Sequence, residues 1–174
     1  GLGDVYKRQM TGFGAGVFMY VGLLALTMAR HFLGAPVEGK MTPTLWVHLA
    51  PLSVIPLSML ALLKTTGDAS LLRYGSLVAA AFLGAALWWL VLAVSMTIRN
   101  RRQGKLPFAL SWWAFVFPIG ACSVLAYRVS ELLALEVLPL VASGLTLLAL
   151  FVWSAAALGT VRGIRTGAIF APAH

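Results

Sequence analysis

Residues 74–97 read YGSLVAAAFLGAALWWLVLAVSMT, twenty-four positions without one acidic or basic side chain. As an α-helix, a run of that length extends about 36 Å, enough to cross a hydrocarbon core of about 30 Å. The apolar residues are continuous, whereas a barrel strand would alternate apolar and polar positions over about ten residues. Outward from this run the pattern recurs near 11–29, 44–63, 109–129 and 135–160. The sequence therefore predicts an all-α integral membrane protein with about five transmembrane helices. No stretch long enough for a soluble domain remains between them.

Composition supports this reading. The 174 residues are 60% hydrophobic and only 10% charged, with a mean hydropathy of +0.91. A soluble domain is about 45–50% apolar and about 25% charged, so lipid has to be the solvent for most of this surface. A net charge of +8 would suggest nucleic acid in a soluble protein, but here the basic residues sit between the apolar runs. That placement marks membrane-flanking loops and leaves no nucleic-acid partner to expect.

The single Cys122 excludes an intrachain disulfide and a cysteine-based metal cluster. The sequence contains no GxxxxGKS/T, HExxH, GxSxG or CxxC motif, so neither nucleotide-driven transport nor hydrolysis by a familiar motif is expected. No enzyme activity, metal or cofactor is predicted. The first residues, GLGDVYKRQ, are polar and lack the order of a signal peptide. They resemble the translated tails of fragmentary gene sequences, so residues 1–9 are set aside as an artefactual leader and 10–174 are taken as the transmembrane domain.

Charge also predicts orientation. Arg30, Lys40, Arg99, Arg101, Arg102, Lys105, Arg162 and Arg165 collect on one side, against Lys64, Arg73 and Arg128 on the other. The positive-inside rule then places the RNRRQGK loop and the C-terminus in the cytoplasm, with the first span running inward. An odd number of spans entering from outside is natural for the second half of a larger protein.

Prolines divide the spans into two kinds. Pro51 and Pro56 fall in the second and Pro118 in the fourth, while the first and third contain none and Pro139 lies near the start of the fifth. A mid-span proline frees a carbonyl and bends its helix, which is tolerated where neighbouring helices or a wet cavity receive the polar group. The second and fourth spans are thus the candidates for an inner layer.

The fourth span begins LPFALSWWAFVFPIGA, residues 106–121. At helical spacing from Phe117 stand Ala114, Gly120 and Ala121, so one aromatic stands among small neighbours on one face. Such a face suits a lumen blocked by a single ring, and it equally suits a close helix–helix contact. His48, within MTPTLWVHLAP, could line an aqueous path or be held by a neighbouring carbonyl. As a haem ligand it would need a partner, and His31 reads as a loop residue while His174 falls in the tail. The stretches GFGAG at 12–16 and AAAFLGAA at 79–86 favour close helix packing.

LPFALSWWAFVFPIGA resembles the penultimate helix of the tellurite-resistance/dicarboxylate transporter family, and PTLWVHLAP at 43–51 resembles its seventh helix. The family takes in a bacterial tellurite-resistance channel, a yeast malic acid transporter, a fungal sulfite exporter and plant slow anion channels. The resemblance runs from residue 11 to the C-terminus and implies helices six to ten of a ten-helix pore built from helical hairpins. Odd-numbered helices are then inside, which makes the second and fourth spans inner ones. The resemblance also implies a gating phenylalanine at Phe117, with Phe115 the alternative if the register slips by two, and a homotrimeric assembly. In place of the family's glycine-rich stretch after PTLW, this chain has LAPLSVIP.

Together these readings predict an anion channel or secondary transporter in the bacterial inner membrane. Its partners would be the lipid bilayer and small anions, either C4-dicarboxylates or tellurite- and sulfite-like oxyanions. The pathway would be lined by His48, Pro51, Ala114, Pro118, Gly120 and Ala121. The alternative is a helical membrane subunit of a redox complex, with His48 at a haem or quinone site.

Overall fold

The computed structural model describes residues 2–34, 42–106 and 108–167. Lys40 and His174, both named above, lie outside the described residues. The elements are α1 (Leu2–Leu33), α2 (Thr42–Trp46), α3 (Leu49–Lys64), α4 (Ala69–Arg102), a 3₁₀ segment (Leu110–Phe115), α5 (Val116–Leu133) and α6 (Leu138–Thr166). No strand occurs among the described residues. α1, α4, the 3₁₀–α5 pair and α6 are each long and apolar enough to cross a membrane, and α3 is a shorter apolar helix of 16 residues. The chain is a multi-pass helical membrane protein.

α1 and α4 run past their apolar runs at both ends. α4 covers Ala69–Arg102 where hydropathy marks 74–97, because backbone hydrogen bonding continues where the side chains become polar. Its start is fixed by Asp68, whose carboxylate accepts from the amides of Ser70 (2.8 Å) and Leu71 (3.2 Å). Its last turn carries Arg99, Arg101 and Arg102, where positive charge complements the helix dipole. α1 is helical from Leu2, and it includes His31 in its last turn rather than leaving it in a loop.

The second and fourth spans are not single α-helices. A turn at Val47–His48 separates α2 from α3, and the 3₁₀ segment precedes α5. Pro51 and Pro118 are each the third residue of the α-helix that follows, so neither removes a mid-helix hydrogen bond. Only Pro56 lies in the interior of an α-helix, α3, where a proline removes an intrahelical hydrogen bond. The residue ahead of a proline disfavours helical backbone, and here the chain restarts its helix close before each proline.

α3 packs against α4 and α5, and α5 packs against α6, α3 and α4. Their shared core contains Leu49, Leu52, Leu83, Ile119, Leu125 and Val129. α4 meets it through Ala79, Ala86 and Ala93, seven residues apart, whose small side chains let the helices approach. Ser123 of α5 donates to the Ala142 carbonyl (2.8 Å) and pairs with Thr146 (2.8 Å), tying α5 to α6. The 3₁₀–α5 span is the most enclosed of the long ones, with 39% of its most apolar window buried against 28% for α4 and 17% for α6. α1 touches the rest mainly along α3, through the Tyr20 hydroxyl, which donates to the His48 carbonyl (3.3 Å).

Candidate functional site

On α5 the buried residues Pro118, Ile119, Cys122, Ser123, Leu125, Ala126 and Val129 form one side. The opposite side, spaced three or four residues apart, carries Phe117, Gly120, Ala121, Val124 and Tyr127. Gly120 and Ala121 are half-buried, Val124 and Tyr127 are exposed, and nothing lies within 4 Å of where a Gly120 Cβ would be. Phe117 stands at the head of this stripe with 65% of its surface exposed. α3 and the turn before it show a similar open side, with exposed Val47 and Val54 and half-buried Ala50, Pro51 and Ser58.

The two candidate gate rings differ in environment. Phe115 is 5% exposed and meets Trp46 (5.2 Å between centroids) and Trp112 (5.9 Å) edge to face. That contact ties the 3₁₀ segment to α2. Ala114 is half-buried, and Pro118 is buried in the packing rather than set on the open stripe. Of the residues predicted to line a path, Phe117, Gly120 and Ala121 thus share a face on α5, and Pro51 lies on the open side of α3.

His48 sits in the turn between α2 and α3. Its imidazole meets the Trp89 indole edge-on at 5.1 Å, and His31 meets the same indole at 5.6 Å. His31 donates from Nδ1 to the Thr27 carbonyl (2.7 Å). Trp89 in turn donates from Nε1 to the Leu45 carbonyl (2.7 Å), holding α2 against α4. Two further bonds do the same: Trp46 Nε1 donates to Thr97 (3.0 Å), and the Asn100 amide donates to the Thr42 hydroxyl (2.6 Å). Both imidazoles pack on the Trp89 indole, and among the described residues Nε2 of His31 is buried without a hydrogen-bond partner. Sequence reading missed the Trp89 cluster because its members are 17 and 41 residues apart along the chain. Only a helical His31 brings them together.

At the far end of α3 and α5, Lys64, Arg128 and Glu131 border a cleft of about 240 Å³. Arg128 and Glu131 pair at 2.9 Å across one turn of α5, both well exposed. A second cleft, about 480 Å³, separates the start of α1 at Gln9, Gly12 and Phe13 from Ser58, Ala61 and Thr65. Among the described residues no group of three or more His, Cys, Asp or Glu could hold a metal ion.

Residues 9–161 match the voltage-dependent anion channel family. Two uncharacterized transporters of Methanocaldococcus jannaschii are 31% and 30% identical to the chain over 159 residues, covering 91% of it and 46% of each relative. The chain thus spans about half the length of these relatives. No solved structure gives a significant match. With an all-helical membrane architecture and a family match across most of its length, the chain belongs to the voltage-dependent anion channel and tellurite-resistance family, a family of anion channels and transporters.

Proposed function

We propose that the chain supplies half the wall of an anion pathway, corresponding to helices six to ten of a ten-helix pore, with Phe117 as a removable plug. The observation that carries this reading is the exposed Phe117 ring beside the small Gly120 and Ala121 on the open side of α5. An apolar constriction of this kind gates by excluding water, and an ion passes only when the ring moves aside.

The open sides of α3 and α5, with His48, Pro51, Ala114, Gly120 and Ala121 along or near them, form a lumen without a fixed positive charge in its middle. The starts of α3 and α5 have no side-chain cap, but the Ala50 and Val116 amides already bond to the Val47 and Trp113 carbonyls, so the helix dipoles would act on an anion only through their field. Small anions suit such a lumen: C4-dicarboxylates or tellurite- and sulfite-like oxyanions. The protein acts as a homotrimer in the bacterial inner membrane with its C-terminus in the cytoplasm.

The decisive experiment is anion flux into proteoliposomes by the full-length protein. Phe117→Ala is expected to remain folded and to pass anions faster than the parent, while Phe115→Ala loses stability without gaining flux. Unfolding of Phe117→Ala with no gain in flux would return the ring to a packing role. For orientation, an impermeant thiol reagent applied to intact spheroplasts should label Ser70→Cys and not Arg102→Cys. The reverse pattern would overturn the assignment.

A further inference from the structure

α4 and α6 flank the bundle but scarcely touch each other. The gap between them is a cleft of about 190 Å³, floored by Trp46, Trp112 and Phe115 and walled by Val94 and Ile98 on one side and Phe151 on the other. Both flanking helices turn exposed apolar side chains outward, Val91 and Ile98 on α4 and Leu147 and Phe151 on α6, so the cleft opens where lipid chains lie. One cation borders it. Arg101, in the last turn of α4, stands at the end of the cleft nearest the membrane edge.

Among the described residues, charge around that end is of one sign. Arg99, Arg102 and Lys105 flank Arg101, and Arg162 and Arg165 close α6 on the same side of the membrane. The sequence has no acidic residue between Asp68 and Glu131 and none after Glu136. A slot that is apolar at depth and cationic at its mouth matches one membrane component, a lipid with an apolar chain and an anionic headgroup.

We propose that this cleft binds an anionic phospholipid, with a stretch of one acyl chain between α4 and α6 against Trp112 and Phe115 and its phosphate on Arg101. The site is separate from the anion pathway. It shares only the 3₁₀ segment with it: Phe115 floors the cleft, and Phe117, two residues on, heads the open stripe of α5. An occupied cleft would therefore brace the 3₁₀ segment that leads directly into the first turn of α5, which carries the proposed plug.

The test is photo-crosslinking of the full-length protein in phosphatidylcholine nanodiscs. These carry a trace of diazirine-bearing phosphatidylglycerol or, in parallel, diazirine-bearing phosphatidylcholine of the same chains. With one basic side chain near a membrane surface favouring an anionic lipid by about fivefold, cross-links to residues 148–155 should be about that much more abundant with phosphatidylglycerol. Arg101→Gln should bring the yield down to the phosphatidylcholine level, while Arg101→Lys, and Arg165→Gln outside the cleft, should keep the excess. Ala155→Trp, which fills the cleft, should remove cross-links from both lipids. Equal yields for the two headgroups in the unsubstituted protein, or an excess that survives Arg101→Gln, would overturn the proposal.

Discussion

Trp46 to Pro51 and Trp113 to Pro118 share a spacing, a tryptophan five residues ahead of a proline, and each pair marks the place where the second or the fourth span stops being one continuous α-helix. In both, the residue three before the proline packs into the bundle: His48 against Trp89, and Phe115 against Trp46 and Trp112. The residue directly before the proline stands toward the open side in both. It is Ala50 in one span and Phe117 in the other. The same local device therefore anchors one side chain and presents the next but one. Only the 3₁₀–α5 span presents a ring, which makes the proposed pathway asymmetric by a single residue.

Thermal or denaturant unfolding in detergent can break this comparison, because anchoring and presented residues should differ in what they contribute to stability. Phe115→Ala should have the largest effect, a loss of about 3 kcal/mol, since it empties a buried aromatic site that joins the 3₁₀ segment to α2. Trp89→Phe removes the donor to the buried Leu45 carbonyl and should lower stability by about 2 kcal/mol. Ser123→Ala gives up the bond to Ala142 and should lower it by about 1 kcal/mol. Phe117→Ala should lie within about 1 kcal/mol of the parent, because most of its ring is already outside the core. Should Phe117→Ala prove as damaging as Phe115→Ala, the division between anchored and presented residues would collapse.

A gain-of-function exchange sharpens the same comparison. Ala50→Phe places a ring at the equivalent position of α3, so in proteoliposomes it should restore a block that Phe117→Ala has removed. An unchanged flux in the double variant would mean that the two spans do not face one lumen.

Much of this architecture was legible from hydropathy, which counts the side chains that tolerate lipid. The five apolar runs, the small-residue contacts of α4 and the placing of Phe117 on one face with Gly120 and Ala121 all follow from side-chain size and helical spacing. The break at Val47–His48 and the 3₁₀ turn at Leu110–Phe115 were not legible, because they concern backbone hydrogen bonding inside runs that are apolar throughout. For the same reason Pro51 and Pro118 read as mid-span kinks when they are first-turn residues. The polar ends of α1 and α4 were also invisible to a lipid-solubility argument, so His31 read as a loop residue and its contact with Trp89 went unseen.

The central claim is that the open stripe of α5 borders water rather than lipid. The most direct test is the reactivity of single cysteines at Ala121 and Val124 toward a charged, water-soluble thiol reagent, in full-length protein with Cys122 replaced by alanine. Leu140 and Phe151 of α6, exposed on the bundle's outer surface, serve as the lipid-facing comparison. Cysteines at 121 and 124 should react quickly once Phe117 is replaced by alanine and slowly while the ring is present, with those at 140 and 151 inert in both backgrounds. Reactivity at 121 and 124 that never rises above that at 140 and 151, with or without the Phe117 ring, would contradict the account.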